Sequence, residues 1–203
     1  MDKIILIGTG GHASACIDVI EQQGRYKIAG LIESVDSRGL EFMGFPILGT
    51  DNDIESLRQV YKYALVSVGQ IKSAATRIRL YDMLKSFDYQ LPQIVSPLAY
   101  LSRYSQIGEG TIIMHGVVIN VKAVIGNNCI INSQSLIEHD ARVGDHCHIA
   151  TRAVLNGAVD VHEGAFVGSG AVLKQGIEIG KNSVVGMGSI VKKDIKSMQT
   201  IIG

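Results

Sequence analysis

The chain has 203 residues, room for one large domain or two small ones. Apolar residues make up 46% and charged residues 19%, and Lys plus Arg balances Asp plus Glu at 19 each, so nothing marks a nucleic-acid or anionic-membrane binder. Met1-Asp2-Lys3 runs straight into a strand-like stretch with no signal peptide, and no apolar run approaches the roughly 18 residues of a membrane helix, so a soluble cytoplasmic protein is expected.

Residues 3–8 form a continuous apolar run, as expected of a parallel strand buried on both faces. Gly8-Thr9-Gly10-Gly11-His12 follows, then a helical pattern through Ala15, Ile17, Val19 and Ile20 to Gly24. A second strand covers 27–32 and ends at Glu33, and a shorter one lies around 46–48. Thr50-Asp51 reads as a cap opening a helix to about Val60. A strand over 63–68 ends at Gly69, and a helix spans 73–87. The order β-α-β-β-α-β-α describes a small Rossmann-like half-domain over residues 1–92, with Pro92 and Pro97 marking the way out of it.

Gly8-x-Gly10-x-x-Ala13 satisfies the dinucleotide fingerprint, and Glu33 stands where an acid would meet an NAD ribose. Half of a dinucleotide fold suits a diphosphate or nucleotide better than NAD, because glycines permit close approach and a helix N-terminus favours phosphate. The structural alternative is a tight strand-to-helix turn that needs glycine.

From Val95 the sequence reads in sixes: Leu101, Ile107, Ile113, Ile119, Ile125, Ile131, Ile137, Val143, Ile149, Leu155, Val161, Val167, Leu173, Ile179, Val185 and Val191, without a slip. Four residues after most of these, from Ile107 on, stands a small side chain such as Thr111, Ala123, Cys129, Ser135 or Ala141. The position just after the aliphatic is often Gly or Asn. A period of six matches neither an α-helix nor one long strand. It matches a hexapeptide solenoid over residues 93–203, with the aliphatic on the axis and the Gly or Asn taking the turn because positive φ costs it little. The absence of Trp and the count of 23 glycines suit its narrow interior. Cys129 and Cys147, eighteen residues or one coil apart, are expected to stack as inward filler rather than as a redox or metal pair.

Chemistry is therefore sought among the outward histidines: His115, His139, His146, His148 and His162. His115 and His162 read as exposed corner residues. His139, between Glu138 and Asp140, is the candidate general base. Gly157 lies one coil above it and offers room for substrate and a free N–H for an oxyanion. His148, set at one and a half coils from His139, is expected to meet it only across subunits.

These residues bring a family into view. Ile7-Gly8-x-Gly10-Gly11-His12, Ser67-Val68-Gly69, Asn132 and Ile137-Glu138-His139-Asp140 in the hexads resemble the left-handed β-helix sugar acetyltransferases, in the branch of the bacillosamine-pathway N-acetyltransferase and the sialic acid O-acetyltransferase-like proteins. The resemblance spans essentially the whole chain. It implies an α/β Rossmann-like half-domain followed by an all-β left-handed parallel β-helix, assembled as a homotrimer with active sites between subunits and no metal. His139 would be the catalytic base and Asp140 the acid that raises its basicity. Acetyl-CoA, the co-substrate, would meet Asn132, His148, Gly157, Ser169 and Met187. A nucleotide-linked aminosugar would meet Gly10, Gly11, His12, Glu33, Ser34, Val35 and Gly69. Two departures stand out: Ile32-Glu33-Ser34-Val35 replaces the paired aspartates of many UDP-binding members, and Ile201-Ile202-Gly203 is not followed by the Pro-Ala-Lys tail that helps cover CoA.

The expected activity is transfer of acetyl from acetyl-CoA to the amine of a nucleotide-activated aminosugar of the UDP-4-amino-4,6-dideoxy type. The alternatives are O-acetylation of a sialic-type sugar, a non-catalytic trimeric scaffold or sugar-nucleotide sensor, and an NAD-dependent enzyme.

Overall fold

The computed structural model describes residues 1–202. Gly203, the end of the stretch read as lacking the family tail, lies outside them. The N-terminal unit contains β1 (Asp2–Ile7), α1 (Gly11–Gln23), β2 (Tyr26–Ile32), β3 (Glu41–Phe42), β4 (Phe45–Gly49), α2 (Ile54–Leu57), β5 (Tyr63–Val66) and α3 (Ala75–Ser86). The sheet order is β3-β4-β2-β1-β5, parallel apart from the short β3–β4 hairpin. The hairpin strand β3 is an addition to the expected order. The helix expected from Thr50 to about Val60 is shorter, a 3-10 turn at Asp51–Asp53 and one α turn. The Thr50–Asp53 capping box tightens its start, and the carbonyl of Leu57 closes it by accepting from Val60 and Tyr61.

Residues from Ile94 on wind as a triangular parallel β-helix of two-residue strands. Up to Val191 each pairs with the strand eighteen residues away, as Val118 does with Leu136 and Ile130 with His148; the last, Thr200–Ile201, pairs with Val184–Val185, sixteen residues back. The three faces carry seven, six and five strands. The first face runs from Ile94–Val95 to Thr200–Ile201, the second from Tyr100–Leu101 to Ile190–Val191, and the third from Gln106–Ile107 to Glu178–Ile179. The inward aliphatics from Ile113 to Val185 are 2% exposed or less. Burying each is worth about 1.5–3 kcal/mol, which makes this stack the main source of cohesion. Cys129 and Cys147 do fill inward corners, and their thiols donate to the carbonyls of Gly144 and His162.

The turns correct one expectation. The residue with positive φ is the third after the aliphatic, as at Asn128, Asp140, His146 and Arg152, not the first. The glycines just after the aliphatic are demanded by stacking instead. A Cβ on Gly126 would lie 2.7 Å from the backbone nitrogen of Asp145 in the next coil, and one on Gly168 would lie 2.5 Å from that of Met187.

The N-terminal unit covers the first face and the corner between the third face and the first. Arg77 of α3 makes the central contact. Its guanidinium is fully buried and donates to the carbonyls of Val66, Val68 and Asn128 and to Asn128 Oδ1. None of these partners is a carboxylate, and burial pulls its pKa down to about 10, still charged at neutral pH. Arg77→Met keeps the volume but strips the donors from buried acceptors, and should lower unfolding free energy by about 2–4 kcal/mol in urea titration. An unchanged stability would show that the guanidinium does not hold the two units together.

Candidate active site

His139 stands at the corner between the second and third faces. Asp140 has φ +59°, so the chain reverses there and the neighbouring side chains meet on one side. His139 Nδ1 lies 2.9 Å from Asp140 Oδ2. A carboxylate only accepts, so Nδ1 carries a proton, and in the neutral ring the lone pair is on Nε2. The hydrogen bond from His139, followed by the charge of Lys122, holds the Asp140 carboxyl below its ordinary pKa. Glu138 takes no part in this contact: Asn120 Nδ2 donates to its carboxylate from the coil below.

Gly157 lies directly over the imidazole. A Cβ there would fall 2.7 Å from His139 Cε1 and 2.8 Å from Nε2, so any larger residue displaces the ring. Among the described residues no group accepts from the Gly157 N–H. A lone pair on Nε2 and a free backbone donor thus sit side by side at an exposed corner, the pairing needed to take a proton and hold a developing negative oxygen.

The other expected residues fall elsewhere. Asn132, Ser169 and Met187 line the corner between the first and second faces, the last two stacked one coil apart. His148 projects outward from the first face, as read, but the N-terminal unit covers it and leaves it buried. His146 is likewise buried, against Asn128 and Tyr81. His148 is nine residues from His139, half a coil rather than one and a half, and half a coil leads to a different face. It donates from Nδ1 to the carbonyl of Gln70 at 2.6 Å, and its Nε2 lies 3.5 Å from Asn132 Nδ2. Burial pushes its pKa down to about 4. His115 is not a free corner residue either: it bridges Ser96 Oγ and Asp18 of α1, both at 2.7 Å.

A second candidate site lies at the C-terminal ends of β1, β2 and β5, where open α/β sheets bind ligands. It is a pocket of about 390 Å³ lined by Gly8, Thr9, Gly10, Glu33, Ser34, Asp51, Val68, Gly69, Thr76 and Arg79, with apolar flanks. Val35 does not line it and is 71% exposed. Gly11 and His12 also lie off its lining. The His12 ring meets Cys16 Sγ at 3.4 Å, and burial, then Arg77 and His148, bring its pKa down to about 3. Thr9 belongs to the glycine loop itself, whereas Asp51, Thr76 and Arg79 are brought in only by the return of α3 and the Asp51 turn to the sheet.

The glycines of the loop divide into two kinds. Gly8 has φ +111°, and a Cβ on it would stand 2.6 Å from Val68 Cγ2, so the fold itself requires it. Gly10 caps α1 with φ −79°, and a Cβ on Gly10 or Gly11 would meet nothing within 4 Å. α1 has no acid in its first turn and no side-chain cap. The open space and the bare helix terminus at Gly10 suit an anionic ligand.

Three stretches match known family models: residues 3–84 the PglD N-terminal domain, residues 122–157 the bacterial transferase hexapeptide (six repeats), and residues 159–193 the hexapeptide repeat of succinyl-transferase. PerB from Caulobacter crescentus, solved with CoA and GDP-perosamine, is 30% identical with a TM-score of 0.93, over 100% of this chain and 95% of that one. A perosamine N-acetyltransferase of that organism with one histidine changed to asparagine, also with CoA and GDP-perosamine, is 30% identical with a TM-score of 0.92, over 100% and 94%. The acetyltransferase domain of PglB from Neisseria gonorrhoeae is 26% identical with a TM-score of 0.90, over 100% and 97%. No curated protein sequence matches the chain.

The two kinds of glycine separate in a stability measurement. Gly8→Ala should cost more than about 1 kcal/mol in urea unfolding, because alanine strains at that φ. Gly10→Ser, which keeps a residue suited to the N-cap, should stay within about 0.5 kcal/mol of the parent. Equal losses would show that Gly10 serves the fold rather than a ligand.

Proposed function

Because the chain belongs to the left-handed β-helix, hexapeptide-repeat sugar N-acetyltransferases with a PglD-type N-terminal domain, we propose that it moves acetyl from acetyl-CoA to the amine of a nucleoside-diphosphate-linked aminosugar, with His139 as general base. The observation that carries this reading is the His139–Asp140 pair set against Gly157. An ammonium has no lone pair to attack with, so the amine sheds a proton as it reaches the thioester carbonyl. His139 Nε2 takes that proton, and Asp140 fixes the ring and favours the imidazolium that forms. The carbonyl oxygen becomes negative as the C–N bond forms, and the Gly157 N–H donates to it; loss of such a donor typically costs about 2.7–4 kcal/mol. The thiolate of CoA then leaves as the C–S bond breaks. Orientation of two bound substrates suffices, without an acyl-enzyme.

The nucleotide-sugar carrier occupies the pocket at Gly10, Glu33, Ser34 and Gly69. That PerB was solved with GDP-perosamine, together with the absence of paired aspartates at Glu33-Ser34, favours GDP over the UDP expected from the family branch. The amine in those relatives' reaction name also favours N- over O-acetylation.

The active unit is a homotrimer. In one chain the second face separates His139, Asp140 and Gly157 at one corner from Asn132, Ser169 and Met187 at the other. The outward row of that face is Tyr100, Val118, Leu136, Val154, Val172 and Ile190, all apolar, with Tyr100 and Ile190 well exposed. The third face instead carries Arg142, Asp160 and Glu178. An apolar row about 24 Å long on a sheet face calls for a partner. Copies packed around a three-fold axis bring the His139 corner of one against the Asn132 corner of the next, and the two half-sites close into a cleft.

A thiol-release assay with acetyl-CoA and GDP- and UDP-linked 4-aminosugars tests the chemistry. His139→Ala should lower kcat by about 10²–10⁴ with the assembly intact, as for loss of a general base. Retention of most activity would remove His139 from the role. Leu136→Asp should give folded monomers in light scattering and abolish turnover; an active monomer would contradict the shared cleft.

A further inference from the structure

We infer that Arg79 is the residue that receives the charge of the carrier's diphosphate, and that Asp51 both parks it at the pocket and competes for it. The inference rests on the reading of the Gly10 pocket as the nucleotide-sugar site, and it goes beyond that reading in naming the counter-charge. Among the described residues, Arg79 is the only cationic side chain that lines the pocket. Two carboxylates, Glu33 and Asp51, line it as well. A diphosphate entering beside two carboxylates meets net repulsion unless a cation offsets it.

Arg79 is free to do so. It is on α3, one turn after Thr76, which also faces the pocket, and it is about half exposed. Its single bond runs from Nη2 to Asp51 Oδ2 at 2.8 Å. A guanidinium offers five N–H donors in a planar fork, so most of them point to no protein group. An exposed ion pair of this kind contributes little to stability, and the fold does not depend on it. The other nearby arginines do not line the pocket. Arg38 forms a two-point pair with Asp36 outside the pocket, and Arg77 is locked among backbone carbonyls. Asp51 holds Arg79 at the pocket lining, and its carboxylate is the anion that a diphosphate must displace.

This arrangement makes affinity depend on phosphate count. The test is calorimetric titration of the full chain with guanosine, GMP and GDP, and with uridine, UMP and UDP. In the parent protein, affinity should rise from nucleoside to diphosphate. Arg79→Gln should weaken diphosphate binding about ten- to a hundredfold, the range for a charge-assisted hydrogen bond, while nucleoside binding and the thermal melt stay unchanged. Arg79→Lys should recover part of the loss, and Asp51→Asn should tighten diphosphate binding. Diphosphate binding by Arg79→Gln equal to the parent's would overturn the role of Arg79 and leave the pocket reading standing. An equal loss of nucleoside and diphosphate would make Arg79 a structural residue and overturn the role as well. If the parent binds none of the six compounds, the pocket reading itself fails.

Discussion

The axial stack of aliphatic side chains is the constraint on which the rest of the solenoid depends. Each coil must place its Ile, Leu or Val directly over the one before, at the strand spacing of about 4.8 Å, and eighteen residues are what one circuit of three faces consumes. Successive backbones then lie so close at the corners that a side chain on Gly126 or Gly168 would overlap the next coil. The corner itself closes by one residue in the left-handed conformation. At Asp140 that reversal turns two neighbouring side chains toward each other, and the His139 imidazole acquires its carboxylate partner from the adjacent position in sequence. The same register sets Gly157 over the imidazole. A one-residue slip would place Asn156 or Ala158 there, and the free N–H and the open space would both be lost.

The second governing contact is the docking of the N-terminal unit on the first face through Arg77. A buried guanidinium among neutral carbonyls is costly to desolvate, and its value lies in what breaks when it is removed. It ties the Val66–Val68 segment, which ends at the pocket residue Gly69, to the corner at Asn128. The Gln70–His148 hydrogen bond reinforces the tie on the face itself. The pocket is thereby held in a set relation to Asn132, and the second face is left uncovered. In the proposed trimer the two edges of that face, the His139 corner and the Asn132 corner, would meet between neighbouring copies.

Much of this was legible in the residues. The six-residue period revealed the solenoid and the coil length, and the coil length placed Gly157 over His139. The run of apolar residues before the glycine loop revealed the parallel sheet. What escaped was everything that depends on the packing of one unit against the other. His146 and His148 look like outward strand and corner residues until a domain is laid over them. His115 looks free until α1 brings Asp18 to it. Local conformation was also misread: glycine after the aliphatic suggested positive φ, whereas the close stacking of successive coils is the reason for it. Arg77 and Arg79, two residues apart on one helix, have opposite surroundings, one fully buried and one at a pocket mouth. Only the docking of α3 distinguishes them.

The central claim is that each active site is built by two copies of the chain, and subunit complementation tests it most directly. His139→Ala disables one edge, and a bulky substitution at Gly10, such as Gly10→Glu, disables the pocket on the other side. Each variant alone should be inactive. Unfolded together and refolded as an equal mixture, they should regain activity, up to about a quarter of the parent's, since in random cyclic trimers about one cleft in four pairs two intact half-sites. Mixed trimers that stay as inactive as either parent variant would mean that His139 and the pocket act within one chain, and would contradict the account.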